Sequence, residues 1–422
     1  MKKNSLLSII LCFTLLCGCS AKPPKQTKTP SDSDVPAQAI HALGLTAEQR
    51  MEDYEAFWTT LRDSYPCWGI LEREGLDTDA IYQDYKELVA GSDSDVDFYS
   101  AIYSSLYRLG MNGHLWIVEP DAYASYVNNM AAYKDSDRAH WAETLRDAKT
   151  ASGYEKLGAM LDILGWDEEE GGNVDEDNSA NVTSQMLPGN IGYLKINSFS
   201  GDMETDGAKI ADCYSQCAGC SDLIIDLTDN SGGSEDYWEQ LLVAPNLNET
   251  MSDSHVALVR MSKNNTPYLK NVFSPDELHP ISELPNLPEL AVTDRALATH
   301  YVTIDHTVVP ATERSPFHGH IWVLVGDAVY SASESFAIFC KDTGFATLVG
   351  TQTGGDGIGI DPIFLQLPNS GILVQFTALY GLNADGSSNE ETGTTPDIVS
   401  IHGENPLVTA LRAIKAQKGT VE

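Results

Sequence analysis

The sequence has few positive charges and no long apolar runs. Its 422 residues contain 26 lysines and arginines against 61 aspartates and glutamates, which gives a formal net charge of −35 at pH 7. So acidic a surface repels phosphate backbones and anionic headgroups, so we do not expect a nucleic acid partner. The apolar run at residues 5–16 is too short for a stable membrane span. No internal repeat is visible.

Several motifs of known chemistry are also missing. No Ser-x-x-Lys or Gly-x-Ser-x-Gly pattern occurs, which argues against the hydrolases built on those motifs. The acidic segment 167–177 does not follow the spacing of an EF-hand loop, so we interpret it as a solvated loop and not as a calcium site.

The first residues have the features of an export signal. A basic start and the apolar run 5–16 are followed by Leu16-Cys17-Gly18-Cys19. This resembles the lipobox of bacterial lipoproteins and implies that residues 1–18 are removed and that Cys19 is lipidated; an ordinary secretory signal is the alternative. Residues 19–45, which begin with a Pro-, Lys-, Thr- and Ser-rich stretch, are predicted to form a flexible tether. We therefore expect an exported protein, lipid-anchored to the outer face of a bacterial membrane.

The cysteines are consistent with export. Cys213-x3-Cys217-x2-Cys220 has the spacing of a radical iron–sulfur motif, but an exported protein is an unexpected host for an oxygen-sensitive cluster. A local disulfide or free buried thiols fit an oxidising compartment better. Five cysteines follow Cys19, so at least one thiol should stay unpaired.

Hydrophobic periodicity divides the rest of the chain into a helical part and an α/β part. Residues 46–120 show helical spacing, beginning with a capping box at Thr46, and residues 121–185 continue as a helical and acidic insert. Residues 186–416 form the predicted core domain, in which strand, helix and strand follow one another as in a βαβ crossover. Its predicted parallel strands lie at 191–196, 223–227, 321–325, 346–350 and 372–376. Residues 245–315 are irregular and their strands are hard to assign.

Ser331 lies where a predicted buried strand meets a predicted helix. At such a turn a serine can act as a nucleophile, because the helix N-terminus supplies N–H groups and the positive end of the dipole. The alternative is a serine that only caps the helix. The Gly232-Gly233 pair follows another strand at the same edge of the sheet, where ligands bind; a tight loop without a ligand is the alternative.

Several motifs occur in a fixed order over about 210 residues. They are Ile191-Gly192-Tyr193-Leu194, Asp226-Leu227-x-x-Asn230-x-Gly232-Gly233, Ser331-Ala332-Ser333-Glu334, Gly350-x-x-Thr353-Gly354-Gly355 and Glu390-x-x-Gly393-x-x-Pro396-Asp397. Together they resemble the C-terminal processing (tail-specific) protease family. A shorter N-terminal match rests on Leu109, Gly113 and His114. The resemblance implies an α/β fold: a crotonase-like core with a mostly parallel sheet and flanking helices, plus an N-terminal helical region.

The resemblance also implies the site residues. The serine–lysine branch of the family has a lysine after the paired glycines, whereas Asp356 follows Gly355 here. The chain is more similar to the tricorn-core-like branch, whose base is a histidine. This implies Ser331 as nucleophile, His114 as general base and Glu390 as the carboxylate that orients the imidazole, with Glu391 as an alternative. The Ala332 and Gly232 N–H groups are the implied oxyanion donors.

The predicted function is that of a membrane-anchored, extracytoplasmic serine endopeptidase. Its expected partners are a peptide or unfolded protein substrate and the membrane, which it would reach through the lipid on Cys19. No metal or organic cofactor is implied, and no peptide-binding PDZ module is recognisable in residues 121–185. Asn112 stands where the family pattern has an acidic residue, so the local support of His114 can differ. The alternative is a catalytically weak or inactive lipoprotein on the same fold that binds peptides or apolar ligands.

Overall fold

The computed structural model describes residues 37–130, 136–166 and 180–419. The predicted signal, most of the tether, Cys19 and the acidic loop 167–177 lie outside these residues. In the part of the chain that is described, no helix has both the length and the apolar character needed to cross a membrane.

Helices dominate the N-terminal part, and strands alternate with helices after it. The helices are α1 Ala37–Ile40, α2 Ala47–Ser64, α3 Trp68–Arg73, α4 Thr78–Gly91, α5 Asp95–Arg108, α6 Pro120–Met130, α7 Ala139–Leu145, α8 Ala148–Leu164, α9 Met203–Gln216, α10 Glu235–Trp238, α11 Asn265–Val272, α12 Val292–Leu297, α13 Ala332–Thr343, α14 Asn389–Thr392 and α15 Pro406–Gly419. The strands are β1 Trp116–Ile117, β2 Val182–Leu187, β3 Ile191–Ile196, β4 Asp222–Asp226, β5 Met251–Val259, β6 His279–Pro280, β7 His300–Val308, β8 His320–Val325, β9 Thr347–Gly350, β10 Ile363–Gln366, β11 Leu373–Phe376, β12 Leu379–Leu382 and β13 Ile398–Val399.

The helical start of the described chain follows local sequence signals. Thr46 and Gln49 form a capping box at the start of α2, in which each side chain accepts a hydrogen bond from the backbone of the other residue. The buried face of α2 includes Tyr54, Phe57 and Trp58, which recur at helical spacing. This face packs into a core cluster that also contains residues of β10, β11 and β12.

A six-stranded sheet forms the centre of the α/β part. Its order is β13-β9-β8-β4-β3-β2, and every neighbouring pair is parallel except β2 with β3. All five residues of β4 are buried, as expected for a parallel strand covered on both faces. Residues of α9 and α13 cover one face and residues of α15 cover the other. The predicted α/β fold with a mostly parallel sheet is confirmed.

Two parts of the sheet prediction need revision. The prediction that residues 372–376 continue the parallel sheet is wrong, because β11 pairs antiparallel with β10 and β1 in a separate three-stranded sheet. The irregular segment 245–315 contains the nine-residue strands β5 and β7, which pair antiparallel along their whole length. They belong to a four-stranded sheet of order β12-β5-β7-β6. Partners distant in the sequence decide both pairings, so local periodicity could not predict them.

Candidate active site

Ser331 lies between β8 and α13 in a strained backbone conformation. Its φ of 56° and ψ of −127° fall outside the regions that non-glycine residues ordinarily occupy. The Ser331 N–H donates to the Gly355 carbonyl at 3.1 Å, and the Ser331 carbonyl accepts the Ser335 N–H at 2.9 Å. The hydroxyl does not cap the helix. It lies 3.1 Å from His114 Nε2, which is the geometry of a nucleophile beside its base.

His114 reaches the serine from the turn between α5 and β1. Its side chain is 13% exposed, and its ring lies 5.2 Å from the Trp116 ring and 4.9 Å from the Tyr330 ring, centroid to centroid. The Thr377 N–H donates to the carbonyl of Gly113 at 2.7 Å and so ties the turn to the segment after β11. The imidazole is therefore held by packing and by the backbone before any substrate binds.

Asp356 occupies the other side of the imidazole. Its Oδ2 lies 2.6 Å from His114 Nδ1, and its side chain is 4% exposed. Gly355 pairs with Tyr330 in an isolated parallel bridge, so the residue after Gly355 lies beside Ser331. A Cβ on Gly355 would lie 2.4 Å from the Asn389 carbonyl oxygen, so a side chain could not be accommodated there. Asp356 thus holds the imidazole in the tautomer that leaves Nε2 free to accept the serine proton.

All three of these residues have left-handed backbone conformations. The described part of the chain contains five non-glycine residues with positive φ, and Ser331, His114 and Asp356 are three of them, with φ of 56°, 54° and 52°. Each such residue costs about 1–3 kcal/mol, and strain of this kind concentrates at functional sites. The backbone therefore points to the same three residues as the side-chain distances.

Glu390 lies beside this group but does not contact the imidazole through a hydrogen bond. Its Oε1 accepts the Gly113 N–H at 2.7 Å, and its Oε2 accepts the Tyr330 hydroxyl at 3.0 Å. The resemblance implied that Glu390 orients His114; in the structure Asp356 has that position. Glu391 points elsewhere and forms an ion pair with Arg73 at 2.8 Å. Burial, and next the nearby Asp356 carboxylate, raise the pKa of Glu390 well above its usual value.

The two predicted oxyanion donors differ in their availability. The Ala332 N–H is the first of α13, so it has no acceptor within the helix. The Gly232 N–H already donates to Asn230 Oδ1 at 2.9 Å, which also accepts the Ser333 hydroxyl at 2.5 Å. A Cβ on Gly232 would lie 3.1 Å from the Ala332 nitrogen, so the missing side chain leaves space in front of that N–H.

Sequence reasoning missed Asp356 and Tyr330 as parts of the site. Asp356 follows the paired glycines, where the serine–lysine branch has its lysine, and a carboxylate at that position is a sequence signal for a partner of the histidine. Asn112, which replaces an acidic residue of the family pattern, contributes its backbone carbonyl as acceptor of the Tyr65 hydroxyl at 2.7 Å. The local support of His114 comes instead from Gly113, through Glu390.

Other groups of potential chemical interest are structural or distant from this site. Lys341 forms an ion pair with Asp397 at 2.5 Å near the other end of α13. The five cysteines of the described segments are all buried free thiols. Within those segments no group of three or more His, Cys, Asp or Glu side chains is arranged to hold a metal ion.

Comparisons with known proteins identify the family of the chain. The family model of peptidase family S41 matches residues 190–400, half of the chain. A candidate peptidase from Parabacteroides merdae ATCC 43184 has a similar structure, with a TM-score of 0.51 and 19% identity, covering 87% of this chain and 96% of that one. Mature CPAF in complex with lactacystin gives a TM-score of 0.50 and 13% identity, covering 84% of this chain and 94% of that one. The photosystem II D1 C-terminal processing protease gives a TM-score of 0.42 and 14% identity, over 86% and 95%. No curated protein sequence matches the chain.

Proposed function

Because this chain belongs to peptidase family S41 and is a serine-type peptidase, we propose that Ser331, His114 and Asp356 are its catalytic residues. The observation that carries the proposal is the continuous contact from Ser331 Oγ to His114 Nε2 at 3.1 Å and from His114 Nδ1 to Asp356 Oδ2 at 2.6 Å. Nucleophile, base and orienting acid are then already in hydrogen-bond reach of one another.

The reaction follows from the chemistry of these groups. Ser331 Oγ attacks the peptide carbonyl while His114 Nε2 takes the hydroxyl proton, and Asp356 stabilises the imidazolium that forms. The Ala332 N–H, which has no acceptor within α13, would hold the developing oxyanion. His114 then protonates the leaving amine, and water hydrolyses the acyl-enzyme in a second round of the same proton transfers.

The proposal extends to the substrate and the location of the protein. The family acts on peptides or proteins, and we propose an endopeptidase that cleaves internal bonds of peptides or unfolded proteins. The basic and apolar start followed by Leu16-Cys17-Gly18-Cys19 supports export and a lipid anchor on Cys19. Two lipid signals are needed for stable anchoring, so more than one acyl chain is expected at that residue.

A fluorophosphonate probe tests the catalytic part. Wild-type protein should be labelled, whereas Ser331→Ala and heat-denatured protein should not, and products from a mixed peptide library, identified by mass spectrometry, would show the cleavage preference. Ser333→Ala is the matched control, because that hydroxyl is buried and bonded to Asn230. Absence of labelling at every pH tested, combined with tight peptide binding, would contradict the proposal and support a binding protein.

A second experiment tests the anchor. Cells grown with an alkyne-bearing fatty acid should incorporate it into the wild type and not into Cys19→Ala, and the wild type should sediment with membranes. Equal incorporation in both, or a wild type released without lipid, would contradict the proposed anchor.

A further inference from the structure

Two carboxylates share one hydroxyl group beside the proposed catalytic residues. Tyr330 Oη lies 3.0 Å from Glu390 Oε2 and 3.2 Å from Asp356 Oδ2. A tyrosine hydroxyl has a single proton and donates one strong hydrogen bond at a time. If both carboxylates were ionised, one of the two short contacts would join a carboxylate oxygen to a lone pair of the phenol.

Counting protons resolves this conflict. Asp356 Oδ2 accepts the His114 Nδ1–H at 2.6 Å, so Asp356 is the carboxylate that works as an anion. A proton on Glu390 Oε2 could be donated to Tyr330 Oη, and the Tyr330 proton could then be donated to Asp356. Glu390 Oε1 would still accept the Gly113 N–H at 2.7 Å. With Glu390 neutral, every polar hydrogen in the chain from Glu390 to His114 has an acceptor.

The surroundings of Glu390 favour its neutral form. The titratable groups that interact with it from other elements are those of Tyr65, Cys67, Tyr330, Glu334 and Asp356. None of these groups carries a positive charge in either protonation state, and the imidazole of His114 is paired with Asp356. Arg73, the nearby cation, forms ion pairs with Glu391 and Asp294. Burial and this acidic neighbourhood act in the same direction on the pKa of Glu390, which lies well above its usual value.

We propose that Glu390 is a positioning residue that acts as a neutral carboxylic acid. It anchors the backbone at Gly113, directly before the base, and it leaves the Tyr330 proton to be donated to Asp356, the partner of His114. This inference rests on the proposed function of Ser331, His114 and Asp356. It differs from the role implied by the family resemblance, in which Glu390 is the anion that orients the imidazole.

The decisive variant is Glu390→Gln. Glutamine has nearly the shape of a protonated glutamic acid: its oxygen can accept the Gly113 N–H and its amide can donate to Tyr330. We expect kcat/KM within about tenfold of the wild type, because at most one hydrogen bond of about 1 kcal/mol is changed, and an unshifted pH profile. Glu390→Ala removes both contacts and should lose far more activity than Glu390→Gln, so rescue by glutamine separates positioning by a neutral acid from a need for charge.

Asp356→Asn is the companion variant, and it distinguishes failure of the proposed catalytic residues from failure of the neutral role of Glu390. It should lower kcat by about 10⁴, the effect expected when a triad acid is replaced by its amide. Retention of full activity in Asp356→Asn would refute the proposed catalytic residues themselves. A loss in Glu390→Gln as large as that in Asp356→Asn, with an unchanged melting temperature, would overturn the neutral role and leave the catalytic residues intact.

Infrared difference spectroscopy gives a readout that does not depend on activity. The C=O band of the protonated Glu390 carboxylic acid should be present in the wild type at neutral pH and absent from Glu390→Gln. Because the buried Glu334 also has a raised pKa and can contribute such a band to both proteins, the test is the wild-type minus Glu390→Gln difference spectrum, and absence of the band from that difference would overturn the inference.

Discussion

Gly232 is the position at which a single methyl group should damage the site most directly. A Cβ on this residue would lie 2.8 Å from the Tyr330 carbonyl oxygen, 3.0 Å from Ser331 Cβ and 3.1 Å from the Ala332 nitrogen. An oxyanion bound to the Ala332 N–H needs to lie about 2.7–3.1 Å from that nitrogen, so the methyl group would occupy the same shell. Gly232→Ala should therefore remove one oxyanion donor by blocking access to it.

The magnitude follows from two separate effects. Loss of one oxyanion donor lowers kcat by about 10²–10³, which corresponds to about 2.7–4 kcal/mol of transition-state stabilisation. The backbone φ of 111° is one that alanine rarely adopts, and this strain should lower the free energy of unfolding by about 1–3 kcal/mol. KM should change much less than kcat, because the lost interaction is made in the transition state.

Peptide hydrolysis and urea denaturation measure the two effects independently. Gly326→Ala is the matched control: its Cβ would make only ordinary contacts, at 3.7 Å to Thr351 Oγ1 and 3.9 Å to the Thr228 carbonyl oxygen. That variant should keep wild-type activity and stability. The reasoning would be refuted if Gly232→Ala folded and kept kcat within about threefold of the wild type. The oxyanion would then not bind in the space in front of the Ala332 N–H.

Three further predictions concern stability. Ser331→Gly should abolish activity but raise the free energy of unfolding by about 1–2 kcal/mol relative to Ser331→Ala in urea denaturation, because glycine tolerates the strained φ of 56°; equal stabilities would contradict strain at this residue. His306→Gln should cost about 1.5–3 kcal/mol, because it removes a charge-assisted hydrogen bond of 2.9 Å to the buried Asp253 carboxylate, which keeps His255, 3.4 Å away, as its other partner. Burial lowers the pKa of His306, but Asp253 and Glu235 together outweigh burial and raise the pKa from 6.5 to about 10. The stability gap between wild type and variant should therefore be full below the ordinary histidine pKa and close as pH rises through about 10, and a pH-independent gap would contradict this. Asp53→Ala should lower the melting temperature through a loss of about 2–4 kcal/mol, because the backbone N–H groups of residues 369–370 lose their acceptor, and a variant as stable as the wild type would show that these bonds contribute nothing.

The parts of the site that lie on regular elements could be predicted from the sequence. The buried run of β8 and the helical spacing of α13 are local signals, and they fix Ser331 at a strand-to-helix turn. His114 could not be found by local pattern, since it lies in a turn of positive-φ residues after α5. It was identified only by its place in a series of motifs.

The third member of the site depends on contacts that no local pattern contains. Asp356 reaches His114 because Gly355 pairs with Tyr330, 25 residues earlier in the chain, and because Gly355 packs against the backbone of α14. Likewise, the Gly232 N–H is not free to bind an oxyanion, because it donates a hydrogen bond to the side-chain oxygen of Asn230, two residues earlier. The glycines in the sequence indicate that two backbone segments pack closely at these positions. Only the tertiary structure shows which segments these are.

The three residues with strained backbone conformations come from separate parts of the fold. Ser331 follows the parallel sheet and His114 adjoins the three-stranded sheet through β1, while Asp356 lies in the loop after β9. Three residues with unfavourable backbone conformations together cost several kcal/mol, and such conformations persist only where the surrounding structure fixes them. Here the cost is offset by backbone hydrogen bonds to elements that fold for other reasons, such as Thr377 to the carbonyl of Gly113 and Ser331 to that of Gly355. It follows that loss of the β1 and β11 pairing should separate base from nucleophile even where α13 and its sheet stay folded.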